Sequence, residues 1–372
     1  MVSLVSLHLL GLMSYCYVLQ MEMGVSVKLY EVCYLVGLAL AICYLLYQYL
    51  YIVILMVLCW MSLWLYRRTQ VTWVGVNGQG ILITGCDSGF GYYAAERFHD
   101  SGFTVIAGVL NMDSKGAQKL RKKKSKRVHM IRVDITSDTE VQEAVQYIQG
   151  KRLRLWGIVS NAGINFPGEV ELTTVEQFNK VADVNLYGGI RVVKAFLPFI
   201  RQSKGRVVMV SSARGLYSWP GESAYIITKH GVETFADSLR LEMRKFGVKV
   251  VVVQPGDFDG ATEIMAPVQL DRIRQEFDSM WTHASDEVKS TYGEEYLENM
   301  FKVRKSKMSD VTPISPDPVT DAIQEALFRD RPSPRYLVGG TSGIVDVVGV
   351  FATFYNVLPE SITDKFIELW TR

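Results

Sequence analysis

A glycine-rich turn between an apolar strand and a helix constrains the fold of this chain more than any other feature. It lies in the stretch Gly80-Ile81-Leu82-Ile83-Thr84-Gly85-Cys86-Asp87-Ser88-Gly89-Phe90-Gly91, where a run of apolar residues leads into closely spaced glycines. The spacing of apolar residues predicts that a helix follows from Tyr92 to Asp100. Glycines at such a turn let the backbone approach a pyrophosphate, which binds the amides at the helix N-terminus. The stretch therefore predicts a nucleotide-binding turn, although a glycine turn alone is a weak signal.

A second motif follows another apolar strand, predicted at Val207–Val210. Tyr225 and Lys229 are four residues apart in a helical pattern, so their side chains project from the same face. A phenol has a pKa near about 10, and a fixed ammonium nearby lowers it by favouring the phenolate. Tyr225 is therefore a candidate proton acceptor for an alcohol, and the Ser212 hydroxyl on the strand-end loop could hold the alcohol oxygen. A lone Tyr and Lys at this spacing also occur by chance on ordinary helices.

From Gly80 onward, predicted strands and helices alternate, which is typical of a parallel sheet with helices on both faces. We therefore predict an α/β fold with a Rossmann-like doubly wound parallel sheet over 80–340. Residues 261–318 form a predicted substrate lid within it, and 341–372 are predicted as a C-terminal apolar extension. The predicted strands are Ile81–Thr84, Thr104–Gly108, Val128–Val133, Gly157–Ser160, Val207–Val210, Val248–Val253 and, at the sheet edge, Tyr336–Val338.

The N-terminal region, 1–68, differs sharply from the rest of the chain. Val32–Tyr66 is apolar and aromatic apart from Gln48, and two arginines follow it. A helix needs about 20 apolar residues to cross a bilayer, so this run is long for one upright span and slightly short for two. It predicts a membrane-anchoring helical segment, either as one tilted span or as a hairpin that turns near Gln48. Met1–Met21 is a further apolar stretch, and 69–79 is predicted as a linker.

Composition excludes some classes of function. The net charge of +2 gives no strong field for nucleic acid, so no nucleic-acid partner is expected. Four of the five cysteines lie in the apolar N-terminal region, which leaves the predicted α/β domain without a disulfide framework. No metal site is predicted. The basic run from Arg121 to Arg127 is interpreted as a solvated helix end, with contact to anionic lipid headgroups as the alternative.

These motifs occur together and in order with Asn161-Ala162-Gly163 and Asn185, and the constellation resembles the short-chain dehydrogenase/reductase family over roughly 77–338. The resemblance implies four catalytic residues: Asn185, which anchors a proton relay, and Ser212, Tyr225 and Lys229. The cofactor-binding residues that it implies are Thr84, Gly85, Asp87, Ser88, Gly89, Phe90, Gly91, Asp134, Asn161, Ala162, Gly163, Tyr225, Lys229, Pro255 and Gly256.

The choice of cofactor does not follow from the family pattern. An acidic residue at the end of the second strand would select NAD, but the matching position here is Gly108. Similar chains with a small residue there resemble NAD users, so we expect NAD, with NADP as the alternative. The family also often has a threonine four residues after the glycine that corresponds to Gly256, and this threonine bonds the nicotinamide carboxamide. Here that position is Gly260, with Thr262 two residues later, so the contact to the carboxamide is not carried over.

Details of the motifs are similar to one branch of the family, which contains retinol, hydroxysteroid (estradiol 17-beta-dehydrogenase type 2-like) and 3-hydroxybutyrate dehydrogenases. Gly102–Asn111 and the apolar N-terminus favour the hydroxysteroid type, whereas Pro255–Phe258 favours the hydroxybutyrate type. We expect a membrane-anchored oxidoreductase that acts on a lipophilic alcohol or ketone. The alternatives are an enzyme of a small hydroxy acid and a catalytically silent membrane scaffold. The endoplasmic reticulum is the expected location, a mitochondrial membrane is the alternative, and the resemblance allows a homodimer.

Overall fold

The apolar N-terminal run forms one uninterrupted helix, α1, over Val27–Thr69. The hairpin alternative with a turn near Gln48 is therefore wrong, because the helix continues through that residue without a break. Within α1, the 34 residues of Cys33–Tyr66 have a mean hydropathy of 2.2, and none of the window that defines the candidate span is buried by the protein. At a rise of about 1.5 Å per residue this stretch exceeds the roughly 30 Å hydrocarbon core of a bilayer. By length and composition it is the single candidate membrane span among the described residues.

The computed structural model describes residues 27–69, 72–75, 78–165, 167–264, 267–309, 314–340 and 347–371. The predicted apolar stretch Met1–Met21 lies outside these residues. The chain divides into two compact units, Met1–Val71 and Thr72–Arg372. The second unit contains all of the sheet and every candidate site residue.

A seven-stranded parallel sheet in the order β3-β2-β1-β4-β5-β6-β7 forms the centre of the second unit. This confirms the predicted doubly wound fold and the edge position of the last strand. The order reverses between β1 and β4, where a crevice opens at the carboxyl ends of the strands. The strands are β1 Gly80–Thr84, β2 Thr104–Val109, β3 Val128–Arg132, β4 Leu155–Ser160, β5 Arg206–Val210, β6 Lys249–Pro255 and β7 Arg335–Val338.

Helices cover both faces of the sheet, and a π-helical segment, Asp183–Gly188, joins two of them. The helices of this unit are α2 Gly89–Asp100, α3 Lys115–Lys122, α4 Asp138–Gly150, α5 Val175–Ala182, α6 Gly189–Ser203, α7 Ser223–Met243, α8 Leu270–His283, α9 Asp286–Tyr292, α10 Glu294–Ser309, α11 Asp317–Phe328, α12 Val347–Phe354 and α13 Glu360–Thr371.

Strand β1 shows why both faces are covered. Successive side chains of a strand point to opposite faces, and here Ile81 and Ile83 belong to one buried apolar cluster while Leu82 belongs to the other. All three are 2 % exposed or less. A strand that is apolar at every position can only be stable with a layer of helices on each side.

The predicted lid region forms α8, α9 and α10, which share a third apolar cluster with Ala224 of α7. Met280 of α8 is fully buried, and its Sδ and Cε atoms lie against Gly168 in the loop after β4. The aromatic side chains at 281, 292, 296 and 301 pack against the same cluster. The methionine and aromatic residues of this region therefore act mainly in packing.

Candidate active site

Glycine is required in the turn that leads into α2. Gly85 and Gly89 have φ angles of +72° and +55°, in the left-handed region that favours glycine. A Cβ atom at Gly91 would lie 2.3 Å from the Gly85 carbonyl oxygen and 2.7 Å from Nδ2 of Asn161. The three glycines thus leave bare backbone at the N-terminus of a twelve-residue helix, a cradle that fits a dinucleotide pyrophosphate.

Thr84 and Asn161 join the ends of β1 and β4 at the point where the strand order reverses. The Thr84 hydroxyl accepts hydrogen bonds from the amides of Asn161 and Ala162, at 3.1 and 3.2 Å. The Asn161 side chain donates to the Thr84 carbonyl at 3.0 Å. These contacts hold the two strand ends together. Because both side chains already bind protein groups, backbone groups remain to face a ligand.

The glycine turn is also tied to the loop after β2. Both carboxylate oxygens of Asp87 accept hydrogen bonds from backbone amides, Leu110 at 2.9 Å and Asn111 at 2.8 Å. Ser88 is the N-cap residue of α2. The Phe90 side chain is buried and meets the Phe258 ring edge-on, with centroids 5.6 Å apart. A role for Phe90 in cofactor binding is therefore restricted to its backbone.

The end of β2 differs by one residue from the prediction, because the strand continues to Val109. Gly108 lies inside the strand, and a Cβ atom there would lie 3.0 Å from the Val133 side chain. Neither Val109 nor Leu110, the first residue after the strand, is acidic. The shift therefore does not supply the missing acidic residue. Beyond β3, the half-buried Asp134 accepts hydrogen bonds from the amide and hydroxyl of Thr136, at 2.9 and 2.7 Å.

We expect Gly91→Ala to weaken NAD binding by at least about a hundredfold, because the added methyl group would overlap the Gly85 carbonyl and force the turn to change shape. Gly150→Ala is the matched control, since a Cβ atom at Gly150 would meet nothing within 4 Å. The measurement is fluorescence titration of each full-length variant with NAD. Wild-type affinity in Gly91→Ala would contradict a nucleotide site at this turn.

The structure brings Ser212, Tyr225 and Lys229 together at the carboxyl ends of β5 and β6. The Lys229 ammonium lies 5.4 Å from the centroid of the Tyr225 ring and donates to the Val210 carbonyl at 3.1 Å. The Ser212 hydroxyl hydrogen-bonds the Tyr225 side chain, and its oxygen lies 3.4 Å from the Pro255 carbonyl oxygen. A strand-end loop and one face of α7 thus place a hydroxyl, a phenol and an amine in one cluster.

Burial opposes ionisation of both members of the Tyr225–Lys229 pair. It raises the pKa of Tyr225, while the Ser212 hydrogen bond and the positive charge of Arg214 lower it. Burial likewise lowers the pKa of Lys229 to about 8, against the opposing charge of Glu233. The expectation that Lys229 lowers the pKa of Tyr225 is therefore wrong for this structure, since desolvation dominates and the ammonium points at the Val210 carbonyl.

Asn185 lies in the π-helical segment and is 4 % exposed. Its side chain accepts from the Ile164 amide and donates to the Ile164 carbonyl, each at 2.8 Å, and also donates to the Thr228 hydroxyl at 3.2 Å. The Thr228 hydroxyl in turn donates to the Tyr225 carbonyl at 2.6 Å. Asn185 thus links the loop after β4 to the helix that carries Tyr225. Sequence reasoning missed Thr228, whose only signal is its place directly before Lys229.

A cluster of charged residues next to Tyr225 was also missed. Arg214 forms an ion pair with Glu222 at 3.1 Å and donates to the Tyr217 hydroxyl at 2.8 Å. Arg304 of α10 faces the other oxygen of Glu222 at 4.0 Å. Burial raises the pKa of Asp259 to about 6, with help from neighbouring carboxylates. The negative charges of Glu222 and Asp259 further raise the pKa of Tyr225.

The segment after β6 folds back over the glycine turn. Gly256, directly after Pro255, donates its amide hydrogen to the Val338 carbonyl at 2.8 Å. Farther along, Thr262 lies beside Gly89, since a Cβ atom at Gly89 would be 3.5 Å from the Thr262 Cα. The structure thus places Thr262 beside the turn.

The doubly wound sheet, the glycine cradle at its switch point and the hydroxyl–phenol–amine cluster beside it define a dinucleotide-dependent oxidoreductase of the Rossmann type. Residues 79–272 match the family described as short chain dehydrogenase. Three relatives agree with this match. D-beta-hydroxybutyrate dehydrogenase, mitochondrial, of Mus musculus is 41 % identical, over 73 % of this chain and 80 % of its own. Retinol dehydrogenase 16 of Mus musculus is 38 % identical, over 86 % and 96 %. Estradiol 17-beta-dehydrogenase 2 of Rattus norvegicus is 35 % identical, over 77 % and 74 %.

The chain therefore belongs to the short-chain dehydrogenase family. It is an NAD(P)-dependent oxidoreductase that acts on CH–OH donors, related to retinol, hydroxysteroid and hydroxybutyrate dehydrogenases.

Proposed function

We propose that this chain is a membrane-anchored dehydrogenase of a neutral, lipophilic alcohol of the retinol or hydroxysteroid type, and that it uses NAD. The observation that carries the choice of substrate is the acidic surrounding of Tyr225.

In the reaction, Tyr225 accepts the proton of the alcohol and Ser212 holds the alcohol oxygen. Lys229 holds the cofactor ribose, and its ammonium lies 5.4 Å from the centroid of the Tyr225 ring. Asn185 anchors the proton relay by fixing the Ile164 loop against α7, because both polar atoms of its side chain already bind protein groups. A dinucleotide whose pyrophosphate is held by the glycine cradle would supply the nicotinamide that accepts the hydride.

The charged residues around Tyr225 bear on the choice of substrate. Of the relatives named above, one acts on a hydroxy acid, while retinol and estradiol are neutral. Glu222 and Asp259 raise the pKa of Tyr225, so they also oppose a substrate carboxylate beside it. The positive charge of Arg214 also reaches Tyr225, but its effect is smaller than that of Glu222. Both Arg214 and Arg304 face the Glu222 carboxylate. These contacts favour a neutral substrate over a small hydroxy acid.

The Asp87 carboxylate bears on the choice between NAD and NADP. In this fold the adenosine ribose is bound near the end of β2, where the carboxylate of Asp87 binds the Leu110 and Asn111 amides. The 2′-phosphate of NADP would add negative charge beside that carboxylate, and it would find those two amides already engaged. Asp87 therefore supports NAD over NADP.

Helix α1 supports membrane anchoring, because its apolar side chains remain exposed over Cys33–Tyr66. A helix that is apolar all round and unburied by protein is stable in lipid. A substrate that dissolves in the membrane makes such an anchor useful. We place the protein in the endoplasmic reticulum membrane, with a mitochondrial membrane as the alternative.

Membranes that contain the full-length protein should reduce NAD when given retinol or estradiol, with a kcat/KM at least about a hundredfold above that for 3-hydroxybutyrate. Glu222→Gln should narrow this ratio by about tenfold, because it removes a negative charge near the substrate. Glu143→Gln, an exposed neutralisation on α4, should leave the ratio unchanged. Preference for 3-hydroxybutyrate would favour the hydroxy-acid alternative, and no turnover of any alcohol would favour the silent scaffold.

A further inference from the structure

Basic residues are concentrated at the edge of the sheet where the strands begin. Because all strands are parallel, the loops that lead into them lie at one edge. We call the loops 123–127, 151–154, 204–205, 244–248 and 329–334 the basic edge. Asp330 is the one acidic residue that their sequence contains. Their exposed lysines and arginines outside the last loop are Lys124, Lys126, Arg127, Lys151, Arg152, Arg154, Lys204, Arg244 and Lys245.

These nine side chains are not neutralised by the protein. None of them forms an ion pair with a carboxylate in the part of the chain that the structure describes. Their neighbours differ: Lys123 contacts Asp100 at 2.8 Å and Glu96 at 3.4 Å, and Arg331 faces Asp330 at 3.9 Å. The basic edge therefore keeps a positive charge that an external anion can meet.

The opposite edge, where the strands end, has the reverse charge. In the loops after β1 to β6, Arg214 is the one basic residue in the sequence. The acidic residues of those loops are Asp87, Asp113, Asp134, Glu169, Glu171, Glu222, Asp257, Asp259 and Glu263. The net charge of +2 thus hides a strong separation of charge between the candidate active-site edge and the basic edge.

The chain enters the second unit at the basic edge. Thr72 accepts a hydrogen bond from the Asp330 amide at 2.8 Å, and Val74 donates to the Phe328 carbonyl at 2.7 Å. Trp73 between them is 53 % exposed, and tryptophan is enriched where proteins meet the membrane–water interface. Only two residues separate Thr72 from Thr69, the last residue of α1.

We propose that the basic edge lies on the anionic headgroups of the membrane that α1 enters. This inference rests on the membrane insertion of α1 proposed above and is independent of the reaction. Clusters of lysine and arginine next to a membrane-spanning helix bind anionic lipids electrostatically. A nucleic acid fits the charge as well, but the short connection to α1 and the exposed Trp73 favour a lipid surface.

The test is hydrogen–deuterium exchange of the full-length protein in nanodiscs of phosphatidylcholine, with and without phosphatidylserine. We expect amides of the basic edge to exchange at least about threefold more slowly in the anionic discs. The difference should vanish in about 1 M salt, where the Debye length falls to about 3 Å. It should also vanish in Lys124→Glu/Lys126→Glu/Lys245→Glu. The matched control, Lys194→Glu/Lys302→Glu/Lys365→Glu, reverses three exposed lysines elsewhere and should keep it.

Equal exchange of these loops in the two kinds of disc would overturn the proposal. Slower exchange confined to α12 and α13, in neutral as well as anionic discs, would also overturn the proposal. It would indicate that the exposed apolar side chains of these two helices contact the membrane instead. Slower exchange on addition of RNA, without any effect of phosphatidylserine, would overturn it in favour of a nucleic acid. Resistance of the protein to alkaline extraction from membranes tests α1 separately, and the reaction is tested by the alcohol panel.

Discussion

Tyr225→Phe is expected to lower kcat by at least about a thousandfold while NAD binding stays within about twofold of wild type. A general base contributes about 10²–10⁴ to a rate, and phenylalanine keeps the ring that Lys229 contacts while it removes the hydroxyl. Turnover of the best alcohol in the panel measures the first quantity, and fluorescence titration with NAD measures the second. Loss of rate with intact binding separates a chemical role from a structural one.

Tyr147→Phe is the matched control for this prediction. Tyr147 is a residue of α4 that takes no part in the candidate site. Its hydroxyl lies 3.3 Å from Nδ1 of His129. It should keep wild-type activity. Retained oxidation of every alcohol by Tyr225→Phe would contradict the proposed proton acceptor, and loss of activity in Tyr147→Phe would show that removal of a hydroxyl acts through folding.

Lys229→Met is expected to lower kcat by at least about a hundredfold and, at the same time, to stabilise the protein without cofactor by about 1–3 kcal/mol at neutral pH. Burial lowers the pKa of Lys229 from 10.5 to about 8, so the charged amine is less stable in the folded protein than in the unfolded chain. Methionine fills a similar space without this cost. A gain in stability with a loss of function is typical of a residue kept for chemistry.

The sign of the pH dependence follows from the same shift. Between pH 8 and 10.5 the unfolded chain binds a proton at Lys229 that the folded protein has lost, so wild-type stability should rise with pH through this window. The rise should be absent from Lys229→Met and present in Lys245→Met, where the replaced lysine is exposed. Thermal unfolding in detergent from pH 7 to 10 measures it. A destabilised Lys229→Met at pH 7 would contradict the assigned burial cost.

Local patterns in the sequence predict most of the fold and the order of the candidate site residues. The apolar runs before Gly85, Asn161 and Ser212 each form a strand of the sheet. This works because strands buried on both faces need apolar residues at every position. At Gln48 the sequence left a single span and a hairpin open, because one polar residue in a long apolar run does not decide between a continuous helix and a turn.

Contacts between distant segments could not be predicted in this way. The link from Asn185 through Thr228 to the Tyr225 carbonyl depends on a π-helical segment, whose extra residue per turn leaves no clear pattern in the sequence. The ion pair of Glu222 with Arg214 and the approach of Arg304 depend on how α10 packs. The predicted lowering of the pKa of Tyr225 was wrong for the same reason, because tertiary packing determines how strongly the phenol is desolvated.

The most direct test of the account uses retinol or estradiol with deuterium at the carbinol carbon, incubated with the full-length protein and NAD. Mass spectrometry of the reduced cofactor should find one deuterium per molecule, and the rate should be lower than with the unlabelled alcohol. Reduced cofactor without deuterium, or label released to water, would contradict direct hydride transfer from the carbinol carbon.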